Sequence, residues 1–248
     1  MSKSYNLIEV KSRKEKSEFL QFPVKLYKDD NNWIRPLDED IEKVFDAKKN
    51  RLFKRGDAIR WILYNSNNSI IGRIAAFYDD KTAMKNDQPT GGCGFFECIN
   101  NNTAATILFD AAKLWLHNKG MEAMDGPINF GSREHFWGCL KDGFYEPIYN
   151  MPYNHEYYND LFESYGFKNF FNQYTFHIPL TVGNLDPIIR EKSDKIRQNP
   201  DISFGFHDKN NSQLTAENFM TVFNSAWAKF EGVKPVTEKQ SRALFNSM

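Results

Sequence analysis

The order of elements in this sequence predicts an α/β fold, with short strands and helices succeeding one another along most of the chain. Three observations carry that expectation. Apolar residues recur at helical spacing in some segments and in strand-length runs in others. Helix starts carry capping signals, and two helix ends carry a glycine. Two strand-length runs are joined by Asn65-Ser66-Asn67-Asn68-Ser69, a hairpin loop by composition. With 248 residues, 41% of them apolar and 15% aromatic, the chain has ample material for a packed core.

The first strand is expected at residues 7–11. Ser12-Arg13-Lys14-Glu15 has capping-box spacing, and the helix it opens turns Phe19, Leu20 and Phe22 inward until Pro23 interrupts it. A second short helix follows Asp38, with Ile41, Val44 and Phe45 at helical spacing. The hairpin strands are 58–64 and 70–78, and a third strand, 94–99, follows a flexible run over 86–92. The clearest helix comes next. Thr103 is its expected N-cap, Ile107, Leu108, Ala111, Leu114 and Trp115 its apolar face, and Gly120 its stop. A strand at 121–124, a long loop over 128–154, a helix from 155 to 165 stopped by Gly166, and one or two aromatic strands over 170–180 complete this part. Most of the phenylalanines in Phe167–Phe176 are expected in the core.

From Thr181 the composition changes. A charged helix over 186–198 reads as a connector within 181–200. A strand at 201–207, a helix capped by Thr215 that carries Trp227 and Phe230, and a helix capped by Thr237 with Gln240 three residues on repeat the opening theme. Residues 201–248 are too few to close a core alone. They are expected to dock on the first domain, to pair with a second copy as a homodimer, or to open a longer protein, and truncation is the preferred reading.

Thirty-two basic against 32 acidic residues give no basic excess, so no nucleic-acid partner is expected. No apolar run approaches the ~20 residues of a membrane span, and the start lacks the apolar centre of a signal peptide. Cys93, Cys98 and Cys139 show no zinc spacing, the histidines show no ligand spacing, and no metal is expected. The expected location is the cytoplasm.

Leu161-Phe162-Glu163-Ser164-Tyr165-Gly166-Phe167, followed by an aromatic run, resembles the LYxxxGF segment of GNAT acyltransferases. Phe22-Pro23-Val24-Lys25-Leu26-Tyr27 with Trp33-Ile34-Arg35-Pro36-Leu37, Ile71-Gly72-Arg73-Ile74-Ala75-Ala76, Gly94-Phe95-Phe96-Glu97 and Tyr149-Asn150-Met151-Pro152-Tyr153 resemble a bacterial tandem-GNAT family. Asn224-Ser225-Ala226-Trp227 with Gly232-Val233-Lys234-Pro235 is similar to the opening of that family's second unit. The resemblance implies a mixed, mostly antiparallel sheet flanked by helices over 1–180. It also implies the connector at 181–200 and the incomplete start of a second unit at 201–248.

It further implies acetyl-CoA or another acyl-CoA as co-substrate and a small-molecule or peptide amine as acceptor. The cofactor would lie at splayed strands near Glu97, with Ile99, Asn101, Asn102, Thr103, Ala104 and Ala105 toward the pyrophosphate and His155 as a further contact. Here the family's glycines and basic residue are replaced by Asn100-Asn101-Asn102-Thr103-Ala104-Ala105, and an ordinary capped turn explains these residues equally well. Glu97 stands where a general base can lie, or is a salt-bridged strand carboxylate. Phe162 replaces the usual tyrosine acid, leaving Tyr153, Tyr157 and Tyr158 to substitute or to pack. Asn129, Arg133, His135, Trp137 and Asn150 belong to a loop that either lines a substrate pocket or covers the sheet, the cover being preferred. Ser132 and Cys139 lack any nucleophile signature. Two functions stay open: an N-acyltransferase, or a catalytically degenerate module that binds a ligand or a partner domain.

Overall fold

The computed structural model of the chain describes residues 5–84, 88–131, 136–149, 151–179, 181–205, 211–230 and 233–246. It divides into two units, Met1–Asn172 and Gln173–Met248. In the first, β1 (Asn6–Glu9), β2 (Gly56–Tyr64), β3 (Ile70–Asp79), β4 (Thr90–Cys98) and β5 (Ala123–Asp125) lie side by side in chain order. All neighbours are antiparallel except β4 and β5, which are parallel. This is the mixed, mostly antiparallel GNAT-like sheet that the sequence implies.

The capping box at Ser12 forms as expected. The serine Oγ accepts from the Glu15 amide at 3.2 Å, and the Glu15 carboxylate accepts from the Ser12 amide at 2.7 Å. The helix does not stop at Pro23, however. α1 runs over Arg13–Leu26 with Pro23 inside it. A proline there has no N–H for the carbonyl four residues back, which is that of Phe19. Arg73 of β3 supplies the missing donor, its Nη1 lying 2.7 Å from the Phe19 oxygen. α2 (Asp38–Phe45) places three acidic residues in its first turn, where the helix dipole favours them, and buries Ile41.

β4 begins four residues before the expected Gly94, so part of the supposed flexible run is strand. Its register against β3 pairs Arg73 with Glu97 but Ala75 with Gly94, so β4 carries one extra residue. Phe95 absorbs it at φ 50°. The bulge turns Phe95 toward Phe19 and Phe45, and the next residue, Phe96, toward the opposite face against Phe109.

After α3 (Asp80–Ala83) and β4, α4 (Asn102–Asn118) is capped by Asn101 and not by Thr103. Its buried face is Ala104, Ala105, Leu108, Phe109, Ala112 and Leu116. Leu114, half a turn round from Leu116, is 62% exposed, contrary to expectation. α5 (Tyr158–Tyr165) starts later than expected and ends at Gly166 in the left-handed conformation, φ 114°. No strand forms among the described residues of 170–180. Phe167 packs on Phe109, but Phe170 and Phe176 are exposed, the latter 91%. Alternating aromatics make a strand only beside another strand, and the sheet ends at β5 among the described residues.

The second unit is helical: α6 (Pro187–Gln198), α7 (Ser212–Ala226) and α8 (Glu238–Asn246). The strand expected at 201–207 is absent from the described residues 201–205, and 206–207 lie outside them. Asn211, not Thr215, caps α7, and Trp227 and Phe230 lie at and beyond its end. At α8 the expected pair forms, the Thr237 amide donating to Gln240 at 2.9 Å. Phe219 packs between Phe223 and Phe245, and the Asn224 side chain holds both the N–H and the C=O of Val236. No helix among the described residues is long and apolar enough to cross a membrane.

Phe109 is fully buried and meets the rings of Phe96, Phe162, Tyr165 and Phe167. Phe109→Ala is expected to cost about 3–5 kcal/mol of stability by denaturant unfolding. A loss below about 1 kcal/mol would mean that this aromatic cluster does not hold α4 to the sheet.

Candidate functional site

Glu97 lies near the end of β4, opposite Arg73 on β3. Its side chain is 13% exposed and that of Arg73 5%. Glu97 Oε2 accepts hydrogen bonds from two phenols, Tyr27 at 2.8 Å and Tyr158 at 2.6 Å. Oε1 faces Arg73 Nη2 at 3.5 Å. Burial pushes the Glu97 pKa above the ordinary carboxylate range, while the Arg73 charge and the two phenols oppose it. Burial likewise lowers Arg73, with Glu97 opposing, and raises both Tyr27 and Tyr158, with the Glu97 charge adding to the rise.

Tyr27, just past the end of α1, is held by ring stacking. Trp33 lies on one face at 5.0 Å between centroids, His155 on the other at 4.4 Å, and Tyr157 continues the stack beyond His155 at 5.1 Å. Four rings in near-parallel array thus fix the phenol that points at Glu97. Tyr158 has a second task. Its hydroxyl accepts from the Cys98 amide at 3.0 Å, while Tyr157 donates to the Cys98 carbonyl at 2.8 Å.

A cavity of about 120 Å³ opens over Glu97 and Arg73. Its walls are mixed: Trp33, Phe95, Trp137 and Met151 are among the apolar and aromatic residues, and Arg35 and Asp38 line it as well. Ile34, which lines the cavity, is half exposed, and Leu37 and Ile148, next in sequence to the lining residues Pro36 and Pro147, are exposed. Tyr149 donates to Asp40 at 2.6 Å and Asn32 to the Phe144 carbonyl at 2.9 Å, so the two loops of the mouth are tied together.

The expected site residues fall in several places. Glu97, Tyr153 and Trp137 all line the cavity. Tyr153 donates to both Asp30 oxygens, at 2.9 and 2.8 Å, and burial and that carboxylate push its pKa up to about 12. It is thereby a weak acid. Asn129 lies outside the lining, with a buried Oδ1 that lacks a hydrogen-bond partner among the described residues. Arg133, His135 and Asn150, like Ser132, lie outside the described residues. Phe162 packs on Phe96 in the core, and the hydroxyl that reaches Glu97 comes from Tyr158, one turn earlier on α5. Burial raises the thiol of Cys139 to about 12, which disfavours a thiolate nucleophile. Sequence reasoning missed Arg73 and Tyr27 as site residues; both stood inside motifs singled out for other reasons.

The start of α4 does not fit a coenzyme A pyrophosphate. The Ile99 amide donates to the Ile71 carbonyl at 3.0 Å, and the Ala104 amide to the Asn101 side chain at 2.9 Å. Ala104 and Ala105 face the core. Asn102 and Thr103 remain as exposed helix-start residues, and no glycine lets a phosphate approach the backbone. The gap between β4 and β5 is also filled. Ile128 donates to the Cys93 carbonyl at 2.9 Å, and its own carbonyl lies so near Gly94 that a Cβ there would sit 1.9 Å from it. His155, expected at the cofactor, is inside the ring stack.

No family model matches the chain. It is 28% identical over 228 residues to "Protein YghO" of Escherichia coli, covering 90% of this chain. It is 26% identical over 249 residues to "Bacterial ceramide synthase" of Caulobacter vibrioides, covering 98% of it. The chain spans 56% and 63% of the lengths of these two relatives. Among solved structures it is similar to a predicted acetyltransferase from Clostridium acetobutylicum, crystallised with acetyl-CoA. That likeness has 14% identity and a TM-score of 0.42, over 70% of this chain and 96% of the other.

Two outcomes follow from the electrostatics and the cradle. Because Glu97 holds its proton more tightly folded than unfolded, its contribution to stability is full below about pH 4.5 and declines as pH rises through the folded value. Thermal melts should therefore show Glu97→Gln gaining on the wild type as pH climbs from 4.5 toward neutrality; a gap that narrows instead would reverse the sign assigned to this carboxyl. Calorimetric titration of residues 1–248 with coenzyme A should show no saturable binding, and a saturating heat would restore the α4 start as a phosphate site.

Proposed function

We propose that the chain is part of an N-acyltransferase and that its first unit binds the acceptor, an amine with an apolar chain. The observation that carries this reading is the state of Glu97. Oε2 is engaged by two phenols, whereas Oε1, among the described residues, has Arg73 Nη2 at 3.5 Å, and Glu97 lines the cavity. An ammonium head entering that cavity would meet a buried carboxylate whose raised pKa makes it a stronger proton acceptor once ionised. Loss of one proton to Oε1 leaves a neutral amine, whose lone pair forms the new C–N bond at the acyl carbon of a thioester; the C–S bond then breaks, and the nitrogen's second proton leaves with the departing carrier thiol. Tyr27 and Tyr158 hold the carboxylate in place and stay protonated, since their own pKa values are raised.

The relative named as a ceramide synthase supports this chemical class. A ceramide is a long-chain amino alcohol acylated on nitrogen. The carrier of the acyl group is left unassigned, because the α4 start does not fit coenzyme A. That misfit favours a second reading, a binding module that presents the amine while another part of a longer protein supplies the acyl group.

The test is product formation by the full-length protein. It would be incubated with 2-amino-1-decanol and either an acyl-CoA or an acyl-carrier-protein thioester, and the amide followed by mass spectrometry. Glu97→Gln is expected to lower turnover by about a hundredfold or more while circular dichroism stays unchanged. Undiminished turnover in that variant would sink the assignment of Glu97 as proton acceptor.

A further inference from the structure

We propose that the strap of chain between Leu140 and Asn154 is a hinged lid over the Glu97 cavity, latched shut by the hydrogen bonds of Tyr149 and Asn32. The inference concerns access to the cavity and stands whether or not Glu97 accepts a proton. The cavity holds about 120 Å³. Sites for small organic ligands occupy roughly 300–1,000 Å³, so this one admits such a ligand only when a wall moves back. Most of its walls are fixed. Arg73, Phe95 and Phe96 on β3 and β4, and Tyr158 and Phe162 on α5, are buried in regular elements. Trp33, at the start of the facing loop, is held by its stack on Tyr27. The strap differs. It lends Pro147, Met151, Pro152 and Tyr153 to the lining, yet residues 141–149 form neither helix nor strand and none of them is buried. A segment of that kind opens at a lower free-energy cost than a packed element.

The hydrogen bonds separate a fixed base from a releasable tip. At the base, the side chain of buried Asn154 holds both backbone groups of Leu140, the N–H at 2.6 Å and the C=O at 3.1 Å. Asn159 of α5 donates to the same carbonyl at 2.9 Å, and Tyr153 donates to both oxygens of Asp30. The two ends of the strap are therefore pinned side by side, the form of an Ω-loop. The tip turns at Gly143, whose φ of 77° suits a residue without a Cβ. It is tied across to the facing segment by exposed bonds, Tyr149 to Asp40 at 2.6 Å and Asn32 to the Phe144 carbonyl at 2.9 Å. Breaking these two frees the tip while the base stays bonded. Closure also has a consequence for the floor of the cavity. With the lid shut, burial raises the Glu97 pKa, and opening would rehydrate the carboxylate and relieve that shift.

A cysteine already in place reports on the lid. Cys139 lines the cavity next to the pinned Leu140, whereas Cys93 and Cys98 are fully buried in β4. The full-length protein would be treated with N-ethylmaleimide, and labelling at each of these cysteines followed by peptide mass spectrometry. The comparison is with a variant carrying Tyr149→Phe and Asn32→Ala, two residues that do not line the cavity. Cys139 is expected to label about fivefold or more faster in the variant, with Cys93 and Cys98 unchanged. An unchanged rate at Cys139 would overturn the latch and the lid with it. Equal acceleration at all three cysteines would mean a general loosening of the unit and would overturn it as well. In the wild type, Cys139 should label far more slowly than in the urea-unfolded protein. Equal rates there would show that nothing covers the cavity, a comparison that decides even if the variant fails to fold.

Discussion

The guanidinium of Arg73 ties α1 to the sheet in the first unit. Pro23 inside α1 leaves the Phe19 carbonyl without its helical donor, a defect that by itself costs a helix about 3 kcal/mol. Arg73 closes the defect from β3, across 54 residues of sequence. Having been drawn to that carbonyl, the same guanidinium sits beside Glu97 on the neighbouring strand. The helix, the sheet and the buried carboxylate are therefore not independent features. Removing the proline's consequence would free Arg73, and removing Arg73 would strand both a carbonyl and a carboxylate.

Burying an ion pair is not in itself stabilising, since the lost hydration often exceeds the mutual attraction. The structure offsets that loss with oriented neighbours. Two phenols donate to Glu97, and Phe19 carries the guanidinium on its ring face. A second arginine, Arg60, repeats the arrangement close by, pairing with Glu42 at 2.6 Å while lying over Phe45 at 4.3 Å. Aromatic faces thus do much of the solvating that water would do elsewhere, which gives the abundant phenylalanines on this side of the sheet a role beyond filling volume.

Several signals in the sequence were read correctly where the physics is local, although at α4 and α7 an asparagine two or four residues earlier, Asn101 and Asn211, is the cap in place of Thr103 and Thr215. The Ser12 capping box, the Asn65–Ser69 hairpin, the Thr237–Gln240 pair and the Gly166 stop involve residues within a turn of one another. Errors arose where a distant partner decides the outcome. Pro23 ends a helix unless something donates to Phe19, and nothing near Pro23 says that Arg73 will. Residues 170–180 have the alternation of a strand, yet alternation does not create the neighbour that a ladder requires. Phe95 at positive φ has no sequence mark at all, because the bulge is a property of the β3–β4 register. Glu97 was legible from its place near a strand end. Its partners were not, because Tyr27 lies 70 residues away and Tyr158 lies 61.

The bulge and Tyr158 together account for why a well-formed pocket coexists with a closed strand edge. Shifting the register at Phe95 sets Glu97 on the pocket side, while the backbone groups of Cys98 are bonded by Tyr158 and Tyr157. One phenol serves both sides, accepting from the Cys98 amide and donating to Glu97. The two sites are coupled by that hydroxyl. A ligand that took the Cys98 amide would displace Tyr158, and Glu97 would lose one of the donors that favour its ionised form. Its pKa would rise further and its proton would be held more tightly. Edge occupancy and proton acceptance therefore oppose one another in this arrangement.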